Sequence, residues 1–413
     1  MAARPSAPSY TTGTPDFVLL LAVAGLLGIG VVMVYSSSFY LAEELTGDQL
    51  HFLKRELLNL ALGLVAMGGA YLLPPRFWAR RLGLLFPLAL GLLVILILPS
   101  WLVGPLVPVW QGARRWLNLG VISLQPSELM KPVLVIFLAR LMDRPGAHRD
   151  PWRRITLPGL IIIGLVFLLI FLQPNFSTAA IIAMTGFLML LVGGAPWYHL
   201  LPLAALALPV GYWLLVSEDY RARRLEVASW LNPWLDPTDS GYHVIQGLYA
   251  IGTGGLFGVG LGRSRQKLGW LPEQYGDWIF AVLAEELGFV GAVTVILLFA
   301  IFVWRGYRVA LRAPDRYSQL VAFGLTTFIG LQSLINIAVV TATFMPTGVP
   351  LPFITYGGSS LAITLMDVGI LLSISRLRAQ APATAPEPIY PPGGYPIGTG
   401  GFGSPVSAGL RRR

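Results

Sequence analysis

Apolar runs of about twenty residues recur along the whole chain, at 17–41, 56–73, 82–102, 127–142, 156–172, 177–194, 198–216, 278–304, 318–343 and 359–375. Each is about as long as a helix must be to cross the hydrocarbon of a bilayer. No water reaches backbone N–H and C=O groups there, so such runs fold as helices that satisfy their own hydrogen bonds. The expected fold is an all-α polytopic membrane protein of about ten transmembrane helices. Composition agrees: 12% of residues are charged, against about 25% in soluble domains. The run at 127–142 carries Glu128 and Lys131, so hydropathy rates it weakest. The first run is too long for a signal-peptide core and no small-residue cleavage site follows it, so it is expected to remain as a helix.

Arginines set the orientation. Arg76, Arg80 and Arg81 separate runs two and three, and Arg140, Arg144, Arg149, Arg153 and Arg154 separate four and five. Arg305, Arg308, Arg312 and Arg316 separate eight and nine, and Arg376 and Arg378 follow run ten. With ten spans these all fall on one side, the cytoplasmic side by the positive-inside rule, and both termini with them. A large loop at 217–277, between helices seven and eight, is then extracytoplasmic. The expected division is a disordered N-terminal tail at 1–15, a transmembrane domain at 16–378 and a disordered Pro/Gly-rich tail at 379–413. The closing Arg411, Arg412 and Arg413 could touch anionic lipid or an acidic partner, or simply be solvated.

Several function classes drop out. The chain has no Cys, and its four His stand apart with no ligand spacing, which removes disulfides, thiol catalysis and the common zinc patterns. The net charge of +9 reflects loop arginines and contact with membrane lipids, not nucleic acid. The glycine-rich stretch 241–262 follows no strand and leads to no Gly-Lys-Ser/Thr, so it is no phosphate loop. Its glycines are expected to let backbone pack closely.

Acids at the start of an apolar helix point to a polar site. The stretch from Trp270 to Gly291 holds Glu273, Asp277, Glu285 and Glu286. Ionisable groups at membrane depth are costly and mark functional sites. Asp277 opens the helix, and Glu285 lies about 12 Å deeper on nearly the same face at 1.5 Å per residue. Alternatively Asp277 merely complements the helix N-terminus. Glu128 and Lys131, at i and i+3, share a face. They form either a packing ion pair, or a pair that tunes a nearby acid or reaches a phosphate. Arg114, Arg115, Arg221, Arg223, Arg224, Arg263, Arg265 and Lys267 lie on the side the positive-inside rule disfavours. An anionic ligand would explain them, although long loops also tolerate charge. Asn175 is placed to cap the helix that follows.

Four blocks carry a family resemblance: GARRWLNLGVISLQPSELMK, YRARRLEVASWLNPWLDPTDSGYHVIQGLYAIGTGGLFGVGLG, LPEQYGDWIFAVLAEELGFVG and MPTGVPLPFITYGGSS. In order and spacing they resemble the signature blocks of the SEDS family, the bacterial shape, elongation, division and sporulation proteins FtsW, RodA and SpoVE. GARRW, YRARR and the long tail look more like FtsW than RodA. The resemblance implies a peptidoglycan glycosyltransferase that polymerises lipid II during septal cell-wall synthesis. A RodA-like polymerase of elongation, a lipid II flippase and a non-catalytic scaffold are the alternatives. It implies Asp277 as the essential acid, with Glu128 and Lys131 as the polar pair facing it. Arg114, Arg115, Arg221, Arg224, Glu285, Tyr356 and Ser359 are expected at the substrate. A divalent cation, Mg or Mn, could sit on Asp277, and no organic cofactor is expected. The implied partners are a class B penicillin-binding protein, with its single helix against spans eight and nine, and other divisome proteins. The implied location is the bacterial inner membrane. Two positions depart from the family pattern: Asn175-Phe176-Ser177 after Gln173-Pro174, and Gly276 before Asp277.

Overall fold

The computed structural model describes residues 10–109, 113–118, 120, 123–202, 205, 230–239 and 241–379. The expected seventh span, 198–216, lies largely outside them, as do Arg221, Arg223, Arg224 and the tail beyond 379. The chain divides into a unit made of its two ends, Met1–Thr11 and Ala379–Arg413, and a main unit, Thr12–Arg378. Everything below concerns the main unit.

Ten substantial helices are described: α1 (Phe17–Thr46), α2 (His51–Leu72), α3 (Pro75–Ile97), α4 (Pro126–Met142), α5 (Leu157–Phe171), α6 (Phe176–Val192), α7 (Tyr242–Gly254), α8 (Ile279–Arg312), α9 (Arg316–Val340) and α10 (Gly358–Ser375). Nine of these fall on the expected apolar runs. The tenth, α7, is an addition from the loop region, so the match in number to the expected spans is a coincidence. Among the described residues, six helices are long and apolar enough to cross a membrane: α1, α3, α5 with its lead-in from Trp152, α8, α9 and α10.

Local chemistry places the helix starts. Asp16 caps α1 by accepting the Leu19 N–H at 3.0 Å, and Asp315 caps α9 by accepting the Ser318 N–H at 3.1 Å. Pro126 occupies the first turn of α4 behind Gln125, where its missing N–H costs nothing. Asn175 stands at the N-cap position of α6, but its side chain makes no capping bond, so the expected cap is absent.

The interior of the bundle is built on α4, α9 and α10. Fourteen of the 17 residues of α4 are buried, Glu128 and Lys131 among them. Such a helix faces protein rather than lipid, so it needs no continuous apolar surface, and this accounts for its weak hydropathy. By contrast, only 22% of the best apolar window of α8 is buried inside the protein. The Gly13 N–H donates to Arg376 O at 2.7 Å, and Arg305 pairs with Asp16 at 2.5 Å. The start of α1 and the end of α10 therefore leave from the same end of the bundle.

α8 is broken at Gly288, whose φ of 67° and ψ of −167° lie far from helical values. The break frees backbone groups that lipid cannot satisfy. The glycine-rich stretch after α7 fills the gap. The N–H groups of Val259 and Gly260 donate to the carbonyls of Glu285 and Glu286 at 3.0 and 3.1 Å. In return, Phe289 and Val290 donate to Gly255 and Leu256 at 2.9 and 3.1 Å. A Cβ on Gly258, which itself has φ of 81°, would run into the Glu286 carbonyl. The expected close backbone packing of this stretch is what the structure has, and its partner is the helix break.

Candidate active site

Two side chains on one face of α9, Gln332 and Asn336, organise the polar centre. They stand at i and i+4, one turn apart. The Asn336 Nδ2 donates to the backbone carbonyls of Asp277 at 2.7 Å and Val349 at 2.8 Å. The Gln332 Nε2 donates to Pro350 O at 2.9 Å, and its Oε1 accepts from the Lys131 Nζ at 3.1 Å. α9 thus ties three separate pieces together: the turn bearing Asp277, the segment 344–358, and α4.

Lys131 pairs with Glu128 at 2.6 Å, both side chains being about 5% exposed or less. Its ammonium also lies over the Phe328 ring, 4.6 Å from the centroid. The Ser360 Oγ donates to the other Glu128 oxygen at 3.0 Å. The pair is buried, and it reaches the Asp277 turn through Gln332 and Asn336. A cavity lined by Lys131 is of water size, about 10 Å³. Glu128 and Lys131 are therefore placed to position the site.

Asp277 precedes α8 rather than opening it. α8 starts at Ile279 with no side-chain cap and no acid in its first turn, so Asp277 is no helix cap. Its Oδ2 lies beside Gly348 of the 344–358 segment. Loss of hydration, followed by the charge of Glu273, pushes the Asp277 carboxyl up to about 7. A carboxyl poised there is part ionised near neutral pH and suits proton exchange.

The rim is aromatic. The Tyr356 N–H donates to Tyr275 O at 3.1 Å, and Phe52 of α2 stacks near both rings at 5.1 and 5.3 Å. Arg55 lies beside the Tyr356 side chain, and Glu56 lies beside the Gly357 backbone. Ser359 Oγ accepts from the Gln125 N–H at 3.2 Å, holding the start of α10 to the start of α4. Tyr356 and Ser359 thus sit at the rim of this assembly.

Other expected site residues turn out to hold structure. Glu285 is 1% exposed. It accepts from the Ser264 hydroxyl and from the Arg265 and Gln266 N–H groups at 2.9 and 3.4 Å. It anchors the 264–266 turn rather than a substrate, because the break at Gly288 brings that turn against α8. Lys267, expected among cations awaiting an anion, is 1% exposed and pairs with Glu286 at 2.6 Å. Arg114 donates to Leu98 O at 2.9 Å, and Arg115 to Gln173 O at 3.4 Å and to Pro174 O. Both brace loops beside the start of α4. Arg221 and Arg224 lie outside the described residues.

The sequence reading passed over Gln332, Asn336, Arg55, Glu56 and Asp367. Asp367 is 2% exposed in the middle of α10, feels the charges of Lys131 and Glu128, and has an Oδ1 with no hydrogen-bond partner among the described residues. An acid inside an apolar helix was the available signal. Among the described residues, no group of three His, Asp or Glu side chains is arranged to hold a metal ion.

Comparison with known proteins adds the context of this assembly. A family model described as cell cycle protein, covering FtsW, RodA and SpoVE, matches residues 17–380. Stage V sporulation protein E of Bacillus subtilis is 42% identical over 365 residues, covering 88% of this chain and 97% of that protein. The probable peptidoglycan glycosyltransferase FtsW of Geobacter sulfurreducens is 38% identical over 367 residues, covering 89% and 96%. Among solved structures, a chain of a peptidoglycan synthase complex aligns with a TM-score of 0.69 at 30% identity, covering 88% of this chain and 98% of that one. The rod shape determining protein RodA of Thermus thermophilus aligns with a TM-score of 0.59 at 28% identity, covering 88% and 97%.

Proposed function

The chain belongs to the FtsW, RodA and SpoVE family and is a peptidoglycan glycosyltransferase, and from that premise we propose that Asp277 is the group that handles the proton in the polymerisation of lipid II. The observation that carries this is the anchoring of the Asp277 turn, whose backbone carbonyl accepts from the Asn336 Nδ2 at 2.7 Å, in a place where lost hydration and the charge of Glu273 raise the carboxyl to about 7. The acceptor sugar hydroxyl attacks the anomeric carbon of the donor, and the bond from that carbon to the undecaprenyl pyrophosphate breaks. Asp277 takes the hydroxyl proton, and the electron pair leaves with the pyrophosphate. Lys131 and Glu128 act at a distance. Their ion pair fixes Gln332, Gln332 fixes Pro350, and the 344–358 segment stays beside the acid.

A divalent cation, Mg or Mn, fits the donor chemistry only with help from substrate. Mg²⁺ is commonly held by one or two carboxylates together with substrate phosphates. Asp277, with Glu273 close enough to raise its pKa, offers that much. A cation held there would supply positive charge to the leaving pyrophosphate.

The division role is proposed from the likeness, at 38% identity over most of both chains, to a protein named FtsW. The likeness to a chain of a peptidoglycan synthase complex supports a class B penicillin-binding protein as partner, alongside other divisome proteins. The arginine bias supports ten spans in the bacterial inner membrane with 217–277 outside. The shared exit of residues 13 and 376 from one end of the bundle supports two cytoplasmic termini. The test is polymerisation of labelled lipid II by the purified full-length protein, with and without a cognate transpeptidase. Asp277→Asn should abolish polymer while the protein stays folded. Normal polymer from Asp277→Asn would remove the proposed acid, and transport without polymer would point to a flippase.

A further inference from the structure

At the opposite end of α4 from Glu128 lies a second cavity. Glu128 stands in the first turn of α4 and Leu141 in the last, about 20 Å apart at 1.5 Å per residue. The cavity there measures about 320 Å³ and is lined by Arg144, Arg153 and Arg154 together with Leu141, Pro145 and Pro158. We propose that it binds the phosphodiester headgroup of an anionic glycerophospholipid.

Charge is the first argument. Three arginines line the cavity, and among the described residues only Asp150 pairs with one of them, at 4.0 Å from Arg153 with both side chains well exposed. A pair that open and that long neutralises little. The Arg154 Nη1 donates to Gly146 O at 3.1 Å, which orients the guanidinium without cancelling its charge. Among the described residues no acid forms an ion pair with Arg144 or Arg154. Guanidinium groups are the side chains best matched to a phosphodiester, which they bind in a fork.

Depth is the second. Leu141 belongs to the last turn of α4 and Pro158 to the first turn of α5, and the helical stretch Trp152–Phe171 is apolar enough to cross the membrane. The cavity therefore sits where apolar helix gives way to polar loop. Trp152 is 41% exposed at that level, with its ring 4.9 Å from that of His199, and the neighbouring Trp197 and Tyr198 are 64% and 59% exposed. Exposed Trp and Tyr gather at the headgroup layer, and basic pockets between helices at that level hold lipid headgroups.

The mixed lining is the third. A free phosphate needs only the arginines. The wall of Leu141, Pro145 and Pro158 suits the glycerol and upper acyl carbons of an amphiphile. Anionic lipid is thereby favoured over the shared alternative, a free phosphate.

The test uses the full-length protein in detergent, exposed to phosphatidylcholine vesicles with or without phosphatidylglycerol, with retained lipid counted by native mass spectrometry. The wild type should retain phosphatidylglycerol selectively. The triple variant Arg144→Gln, Arg153→Gln, Arg154→Gln should lose about tenfold or more in affinity, the scale of charge-assisted contacts. Arg153, whose side chain is 82% exposed, can be changed without threat to the fold. Arg153→Gln alone should lose about threefold and decides the matter if the triple variant does not fold. Arg81→Gln, exposed elsewhere on the same basic face, should change nothing. An equal loss from Arg81→Gln would show diffuse attraction and overturn the site. Displacement by inorganic phosphate or glycerol 3-phosphate at equal concentration would show a free-phosphate site and overturn the lipid. Unchanged retention in both arginine variants would overturn the proposal outright.

Discussion

Lys267→Met should unfold the turn against the helix break rather than blunt the chemistry. The Lys267 ammonium makes three contacts: Glu286 at 2.6 Å, the Ser36 hydroxyl at 3.1 Å and the Phe39 ring at 4.8 Å. Lys267 and Glu286 are 1% and 0% exposed. Removing the lysine leaves the carboxylate with the Ser36 hydroxyl at 2.6 Å and the Ser264 N–H at 3.4 Å, and no cation. Breaking one partner of such a pair costs about 3–5 kcal/mol, because an uncompensated charge stays buried. At about 2 °C per kcal/mol for a large chain, the melting temperature should fall by roughly 6–10 °C. Lys267→Met combined with Glu286→Gln removes both charges and keeps an amide that can still accept from Ser264 and Ser36. The double variant should recover most of the loss, with a coupling of about 2 kcal/mol or more. Thermal unfolding in detergent, followed by intrinsic fluorescence, measures both, and lipid II polymerisation is assayed on the same samples below the transition. The opposite pattern would refute the reasoning: normal melting of Lys267→Met, lost polymerisation, and no rescue by the second change. Lys267 would then reach substrate, as its place on the disfavoured side of the membrane first suggested.

Two further outcomes follow from the site. With Asp277 raised to about 7 by burial and Glu273, polymerisation should rise with pH along a limb centred near 7. Glu273→Gln should move that limb to lower pH by removing a raising charge, and a limb that stays put would break the link. The stability sign is opposite: a folded-state carboxyl raised above its ordinary value binds protons the unfolded chain has released, so this group's contribution weakens as pH climbs from about 4 to 7. Lys131→Met should also cost about 3–5 kcal/mol, through the stranded Glu128. Paired with Glu128→Gln it should recover stability but not full turnover, because Gln332 then loses the donor to its Oε1. Full turnover in that folded double variant would show the pair to be mere packing.

How far the sequence could be read depends on the scale of the signal. An apolar run reports on a whole helix, and nine described helices lie on such runs. α4 shows the limit of that logic, because a helix wrapped by protein can carry Glu128 and Lys131 without an apolar surface of its own. Asp277 was legible because an acid beside an apolar helix is rare, and the block around it belongs to a recognisable pattern. Its partners were not. Gln332 and Asn336 are single polar residues in an apolar stretch, and only their one-turn spacing, joined to carbonyls some 13 to 59 positions away, makes them the hinge-pin of the site. Lys267 was misread for a similar reason. Which side of the membrane a cation occupies says nothing of its depth, and its acid is reachable only because α8 breaks at Gly288 and admits the glycine-rich stretch. Asp367 remains the residue whose chemistry the pattern least explains. It is buried within reach of the charge of a lysine already paired with Glu128, and its Oδ1 has no hydrogen-bond partner among the described residues. An acid 2% exposed inside an apolar helix is costly, and its nearness to the charges of Glu128 and Lys131 joins it to the same polar centre.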